Sequence, residues 1–195
     1  MYRLYGRVAS RAFRVLWAME EMGLNYEQVP VRPHAPELAS LSPSGKIPVL
    51  DVDGTALTDS TAIMTYLADH HGRLTYPAGT LDRGRQDGWT ERLNDEFDSV
   101  LWTAARHKMM LPEDRRVPDV IPALQWEFGQ NLARLAADFR GPFLMGDDLT
   151  IPDILLGHCL GWAVVMGWPI ESDTLKAYSK ALRSRPAYKA AAAQE

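Results

Sequence analysis

The run SPSGKIPVLDVDGTALTDSTAI, from Ser42 to Ile63, leaves this chain few choices of fold. Pro43, Ser44 and Gly45 make a turn. Ile47 to Val52 then reads as a strand. Pro48 has no N–H to give to a ladder, so it belongs at the strand's start or on an edge, where a cis bond is allowed. Asp53-Gly54 is a hairpin pair that returns the chain through Ala56 and Leu57. Thr58, Asp59 and Ser60 precede the apolar positions Ile63, Tyr66 and Leu67, which marks a helix start. A proline-distorted strand edge therefore lies beside a helix start that carries a carboxylate and a hydroxyl. Such a place can hold an extended peptide by its backbone and its charged ends.

The residues before this run supply the other half of a small sheet. Tyr2 to Tyr5 alternates and reads as a strand, stopped by Gly6. Ala12, Phe13, Leu16, Trp17, Met19 and Met22 fall at helical spacing, with Gly23 as the stop. Tyr26 to Val31 is a second strand, so the crossover is right-handed and the pair parallel. Pro33 to Leu41 offers one or two helical turns. Strand–helix–strand followed by strand–strand–helix is the thioredoxin-like order, and it is complete within residues 1–76. Tyr76 to Leu81 reads as a linker.

Residues 83–195 carry no strand period. Leu93, Phe97, Val100, Leu101 and Ala104 mark one long amphipathic helix. Pro112 to Pro122 breaks the pattern, and a second helix runs through Leu124, Phe128, Leu132 and Leu135. Thr150 and Asp153 form a capping box, with Ile151 and Pro152 in the first turn. The helix after it, Ile154 to about Met166, is apolar nearly all round and is expected at the centre of an all-α domain. Leu175 to Leu182 and Arg185 to Tyr188 close the chain, and Ala190 to Ala193 is expected to fray. The fold class is thus α/β plus all-α.

The bulk numbers exclude several functions. A formal charge of −4 over 195 residues argues against a nucleic-acid partner, which needs a basic surface. One cysteine, Cys159, excludes an internal disulfide and suits a reducing, cytoplasmic setting. No leader of the charged-then-apolar kind opens the chain, and no run is long enough for a membrane span. The histidines lack metal-ligand spacing, so no metal is expected. No Cys-x-x-Cys follows the first strand, which removes a dithiol mechanism.

GKIPVL followed by LTDSTAI resembles the glutathione-binding half of cytosolic glutathione transferases of the bacterial type. GDDLTIPDILL and the closing helices extend that resemblance over nearly the whole chain. It implies glutathione as co-substrate, a small hydrophobic electrophile as the second substrate, and a homodimer built from the helical domain. The backbone of Ile47, beside Pro48, would pair with the cysteinyl part of glutathione. Asp59 and Ser60 would hold the γ-glutamyl end, although the family more often has Glu at the first of these positions. Lys46, and more weakly His34, would meet the glycyl carboxylate. Trp102, Arg106 and Met110 would line the electrophile site, with Trp162 and Met166 behind.

Glutathione chemistry needs a thiolate. Lowering a thiol pKa of about 8.5 by roughly two units requires about 2.7 kcal/mol in favour of the anion. A hydroxyl donor supplies about 1.5–3 kcal/mol and a helix N-terminus up to about 2 kcal/mol. Ser10 is a hydroxyl at the first helix start, and it reads equally well as a plain N-cap. Counted back from Gly23, Ala9 fits the activating position as well as Ser10 does. Tyr5 is the rival donor, or else an ordinary strand aromatic. Arg11 raises the local potential or is solvated, and Arg14 is expected to be solvated. Cys159 is expected to be buried and inert. Conjugation, glutathione-dependent isomerisation or reduction, and a non-catalytic binding role all remain open from the residues alone.

Overall fold

A computed structural model describes residues 1–194. It has two compact units, one comprising Met1–Arg83 with the C-terminal segment from Leu182, the other Gly84–Ala181.

In the first unit β1 (Tyr2–Tyr5), β2 (Tyr26–Val29), β3 (Val49–Val52) and β4 (Thr55–Thr58) form one sheet in the order β2-β1-β3-β4. β1 and β2 are parallel, joined through α1 (Ala12–Met22), while β3 is antiparallel to β1 and to β4. α2 (Ser60–His71) follows β4. The fold is thioredoxin-like. Register decides which side chains meet. Leu4 stands opposite Leu50, both fully buried on one face. One residue along, Tyr5 and Val49 turn to the other face, where they pack with Val31 and Leu38.

Both proline strands are shorter than the sequence pattern suggests. β2 stops at Val29 instead of Val31 because Pro30 has no N–H for the ladder. β3 starts at Val49 instead of Ile47, directly after a cis Ile47–Pro48 bond.

The alanine-rich end is a correction. It does not fray: α8 (Pro186–Ala192) continues through it, and Ala191 is fully buried. Tyr188 packs edge-on against Phe13 and Trp17, each at 5.0 Å between ring centroids. Glu21 of α1 fastens the pair, since its Oε1 accepts from Trp17 Nε1 at 2.9 Å and its two oxygens accept from Arg185 Nε and Nη2 at 2.5 and 2.8 Å. This forked pair is only a tenth exposed on the Glu21 side. Glu21→Ala is expected to lower stability by about 2 kcal/mol, since a buried charge-assisted fork is lost. Urea unfolding followed by tryptophan fluorescence reads that shift.

The second unit is all-helical. α3 (Leu81–Leu93), a π turn (Asn94–Asp98), α4 (Ser99–Ala105) and another π turn (Arg106–Met110) follow end to end, giving the long helix its apolar spacing predicts. Two 3₁₀ turns fill the proline-rich break before α5 (Ile121–Asp138). Phe97, Phe128 and Trp168 stack edge to face in its core, at 5.5 and 5.4 Å. α6 (Ile151–Met166) is wholly buried from Ile151 to Gly157, yet Val164 and Val165 emerge at its far end. α7 (Asp173–Ser184) follows. Cys159 is buried and forms no disulfide among the described residues, as an inert thiol would.

Asp153 is the polar centre of this unit. Its Oδ2 accepts from the Thr150 N–H and Oγ1 at 2.9 and 3.0 Å, and its Oδ1 from Leu144 N–H and Tyr178 Oη at 2.9 and 2.7 Å.

Candidate functional site

The candidate site gathers around the first turn of α1, and Gly6 makes that possible. Gly6 sits at the end of β1 with φ +151°, and a Cβ there would lie 2.5 Å from Ala12 Cβ and 3.7 Å from both Ile47 Cβ and Pro48 Cα. Strand end, helix start and cis-proline edge therefore meet where only a glycine fits. Gln28 ties the same point, donating from Nε2 to the Gly6 carbonyl at 3.0 Å.

The Ile47 backbone lies just outside the β3 ladder, and its N–H donates to no acceptor among the described residues. An edge amide in that state can pair with an extended ligand. Asp59 has φ +71°, a strained value for a non-glycine residue. Its Oδ1 takes the Thr61 and Ala62 N–H groups at 2.8 and 3.1 Å. Both bonds fall on one oxygen of an exposed residue, so Asp59 caps α2 without using its other carboxylate oxygen. Ser60 differs: it is 2% exposed, and its Oγ accepts from Arg14 Nη1 at 3.4 Å.

Arg14 corrects the expectation of a solvated side chain. It is 1% exposed. Its guanidinium, one helical turn past Ser10, reaches under the start of α2. A buried cation next to Ser60 adds positive potential to the place where the resemblance puts an anion. Nothing in the sequence flags it, because Arg14 stands in a helix whose every face is covered.

Ser10 is turned inward. Its Oγ donates to the Arg7 carbonyl at 2.7 Å and accepts from the Ala12 N–H at 3.1 Å, so the hydroxyl staples the turn that enters α1. The N–H groups of Ala9 and Ser10 donate to no acceptor among the described residues. Tyr5 lies on the sheet face opposite Leu4, packed with Val31, Leu38 and Val49, and its phenol approaches Arg3.

His34 and Lys46 come together. The His34 N–H donates to the Gly45 carbonyl at 2.7 Å, and its ring covers Gly45 so closely that a Cβ there would lie 2.2 Å from Nδ1. Lys46 is the next residue, exposed, with its carbonyl held by Ser42 Oγ at 3.2 Å. Two exposed basic groups thus flank the strand edge.

In the helical unit Trp102, Arg106 and Met110 follow at four-residue spacing. Trp102 and Arg106 are half-buried, and Met110 is exposed. Arg106 Nη2 donates to Thr103 Oγ1 at 3.4 Å. Among the described residues no group of three or more His, Cys, Asp or Glu side chains could hold a metal ion, and no helix is long and apolar enough to cross a membrane.

Residues 10–70 match the family described as glutathione S-transferase, N-terminal domain. The chain is 28% identical to the theta class glutathione S-transferase of the citrus canker pathogen Xanthomonas axonopodis pv. citri, a structure with glutathione bound, at a TM-score of 0.81 over 100% of this chain and 98% of that one. This chain belongs to the glutathione S-transferase family. Glutathione S-transferase F13 of Arabidopsis thaliana is 25% identical over 95% of this chain and 92% of its own length. Maleylacetoacetate isomerase of Rhizobium meliloti is 42% identical over 83 residues, a stretch that takes in 40% of this chain and 39% of the isomerase.

Proposed function

We propose that this chain is a glutathione transferase that joins the glutathione sulfur to a small apolar electrophile. The observation that carries the reading is Asp59, capping α2 through one oxygen and leaving the other for an ammonium group. In this reading the Ile47 backbone, beside Pro48, pairs with the cysteinyl segment. Asp59 meets the γ-glutamyl ammonium, and the α2 start with Ser60 over Arg14 meets its carboxylate. Lys46 and His34 meet the glycyl carboxylate. The thiolate lies at the entry to α1, stabilised by the Ala9 and Ser10 N–H groups and the helix dipole. Ser10 joins them when its hydroxyl turns from the Arg7 carbonyl, and Tyr5 stays in reserve. The sulfur attacks the electrophilic carbon and the leaving group departs with the bonding pair. Trp102, Arg106 and Met110 receive the electrophile. A homodimer in the cytoplasm, serving detoxification, completes the reading.

Calorimetric titration with reduced glutathione tests it. The parent is expected to bind, and Asp59→Ala to weaken binding at least tenfold; a parent that binds no glutathione sinks the proposal. Ser10→Ala is expected to lower kcat about tenfold with little change in glutathione affinity. Because Ser10 now bonds the Arg7 carbonyl, unchanged kcat would assign the thiolate to the backbone N–H groups alone. The likeness to maleylacetoacetate isomerase favours a second reading, a glutathione-dependent isomerase, in which the same thiolate adds to a conjugated double bond and leaves again. Assay with a cis-enedione separates the two.

A further inference from the structure

Arg106 stands apart from the other arginines whose partners define the helical unit. Arg92 pairs with Glu96 and Asp138, at 3.0 and 3.2 Å. Arg116 donates to the carbonyls of Leu111 and Met109 at 2.8 and 3.0 Å. Arg134 donates to Asn131 and Arg140 to the Ala137 carbonyl. Among the described residues Arg106 has one long bond, from Nη2 to Thr103 Oγ1 at 3.4 Å, and its buried Nε meets no acceptor. No carboxylate pairs with it among the described residues. A guanidinium is never neutral in a protein, so this is a half-buried positive charge with no ion-pair partner among the described residues.

Its setting is that of a receptor. Arg106 opens the π turn Arg106–Met110, where the Leu111 N–H reaches back five residues to the Arg106 carbonyl at 3.0 Å. Such turns recur at functional positions. Trp102 lies four residues before it and Met110 four after. Met109 and Met110, 52% and 61% exposed, add a deformable apolar surface.

We propose that Arg106 binds a carboxylate, and that the electrophile this chain takes is a flat apolar molecule bearing one carboxylate group. The planar fork of the guanidinium pairs with both oxygens, and the Trp102 and methionine surface takes the apolar body. The reaction part rests on the transferase reading, whereas the binding part stands alone.

Two haloarenes test the reaction, 4-chloro-3-nitrobenzoate and 4-chloro-3-nitrobenzamide. In each the glutathione sulfur bonds to the ring carbon and chloride leaves with the electron pair. With kcat/KM divided by the uncatalysed rate, the parent is expected to prefer the carboxylate at least tenfold. Arg106→Met should collapse that ratio to near one, and Arg106→Lys should keep part of it. Turnover of both arenes without preference overturns the carboxylate assignment and leaves the transferase reading intact. Turnover of neither removes the transferase reading. Fluorescence titration with unreactive 4-nitrobenzoate and 4-nitrobenzamide then decides for Arg106. Tighter binding of the carboxylate that Arg106→Met abolishes upholds the assignment, and equal binding of the two ends it.

Discussion

Asp153→Ala is expected to destabilise the helical unit by about 3–5 kcal/mol, since four hydrogen bonds, three of them buried, lose their acceptor and the buried donors cannot reach water. The carboxylate is fully buried and serves the α6 start, the Leu144 loop and Tyr178 of α7 together. Its loss therefore loosens three segments at once, against a total stability of only about 5–15 kcal/mol for a typical domain. Asp153→Asn keeps an acceptor but presents an N–H₂ to at least one donor, so it should fall between parent and alanine. Tyr178→Phe removes a single bond and should cost about 1.5–3 kcal/mol. Denaturant unfolding of the three variants gives the order, and Asp153→Ala as stable as Tyr178→Phe would remove Asp153 from the centre of the unit.

The same residue sets a pH dependence. Burial pushes the Asp153 carboxyl up, and the hydrogen bonds from Leu144, Thr150 and Tyr178 pull it back only in part. Tyr178, buried against that carboxylate, is pushed well above the usual phenol range. A carboxyl whose folded pKa exceeds its unfolded value holds its proton more tightly in the folded protein. Its contribution is then fully present below the unfolded value and declines as pH rises through the folded one. The gap in stability between parent and Asp153→Asn should thus be widest in acid and narrow towards neutral pH. A gap that widens towards neutral pH would reverse the sign of the shift.

Asp153 also marks how far the sequence reaches. Thr150 and Asp153 are three residues apart, so their capping box is legible as local chemistry. Tyr178 is 25 residues away, and no spacing rule brings it to the same carboxylate. The order of strands was legible because Pro48, Asp53-Gly54 and the α1 period each constrain the backbone locally. Arg14 was not, since a lone arginine among apolar residues reads as the wet side of a helix. α1 has no wet side: Ala12 to Met19 are all buried, and α8 covers what the sheet leaves open. The alanines of α8 gave no signal because small residues suit close packing and frayed ends alike. At Ser10 the residue type was legible and the direction of its hydroxyl was not, for that depends on where the Arg7 carbonyl lies.

Gly6→Ala is expected to have the largest effect on the site itself. Two costs add there. The backbone at φ +151° is strained for any residue with a Cβ, and the new methyl would meet Ala12 Cβ at 2.5 Å. Together they should cost about 2–5 kcal/mol, combining backbone strain with overpacking. What relaxes is the start of α1, which moves off the Ile47–Pro48 edge, and the Ala9 and Ser10 amides move with it. Glutathione affinity should fall more than tenfold even where the variant remains folded. Adding Ala12→Gly removes the collision and leaves the backbone strain, so the double variant should recover part of the stability and much of the affinity. A double-mutant cycle measures that coupling directly. If Gly6→Ala binds glutathione as the parent does, the helix start and the strand edge do not act as one site. If the double variant recovers nothing, the conformation of Gly6 matters and its closeness to Ala12 does not.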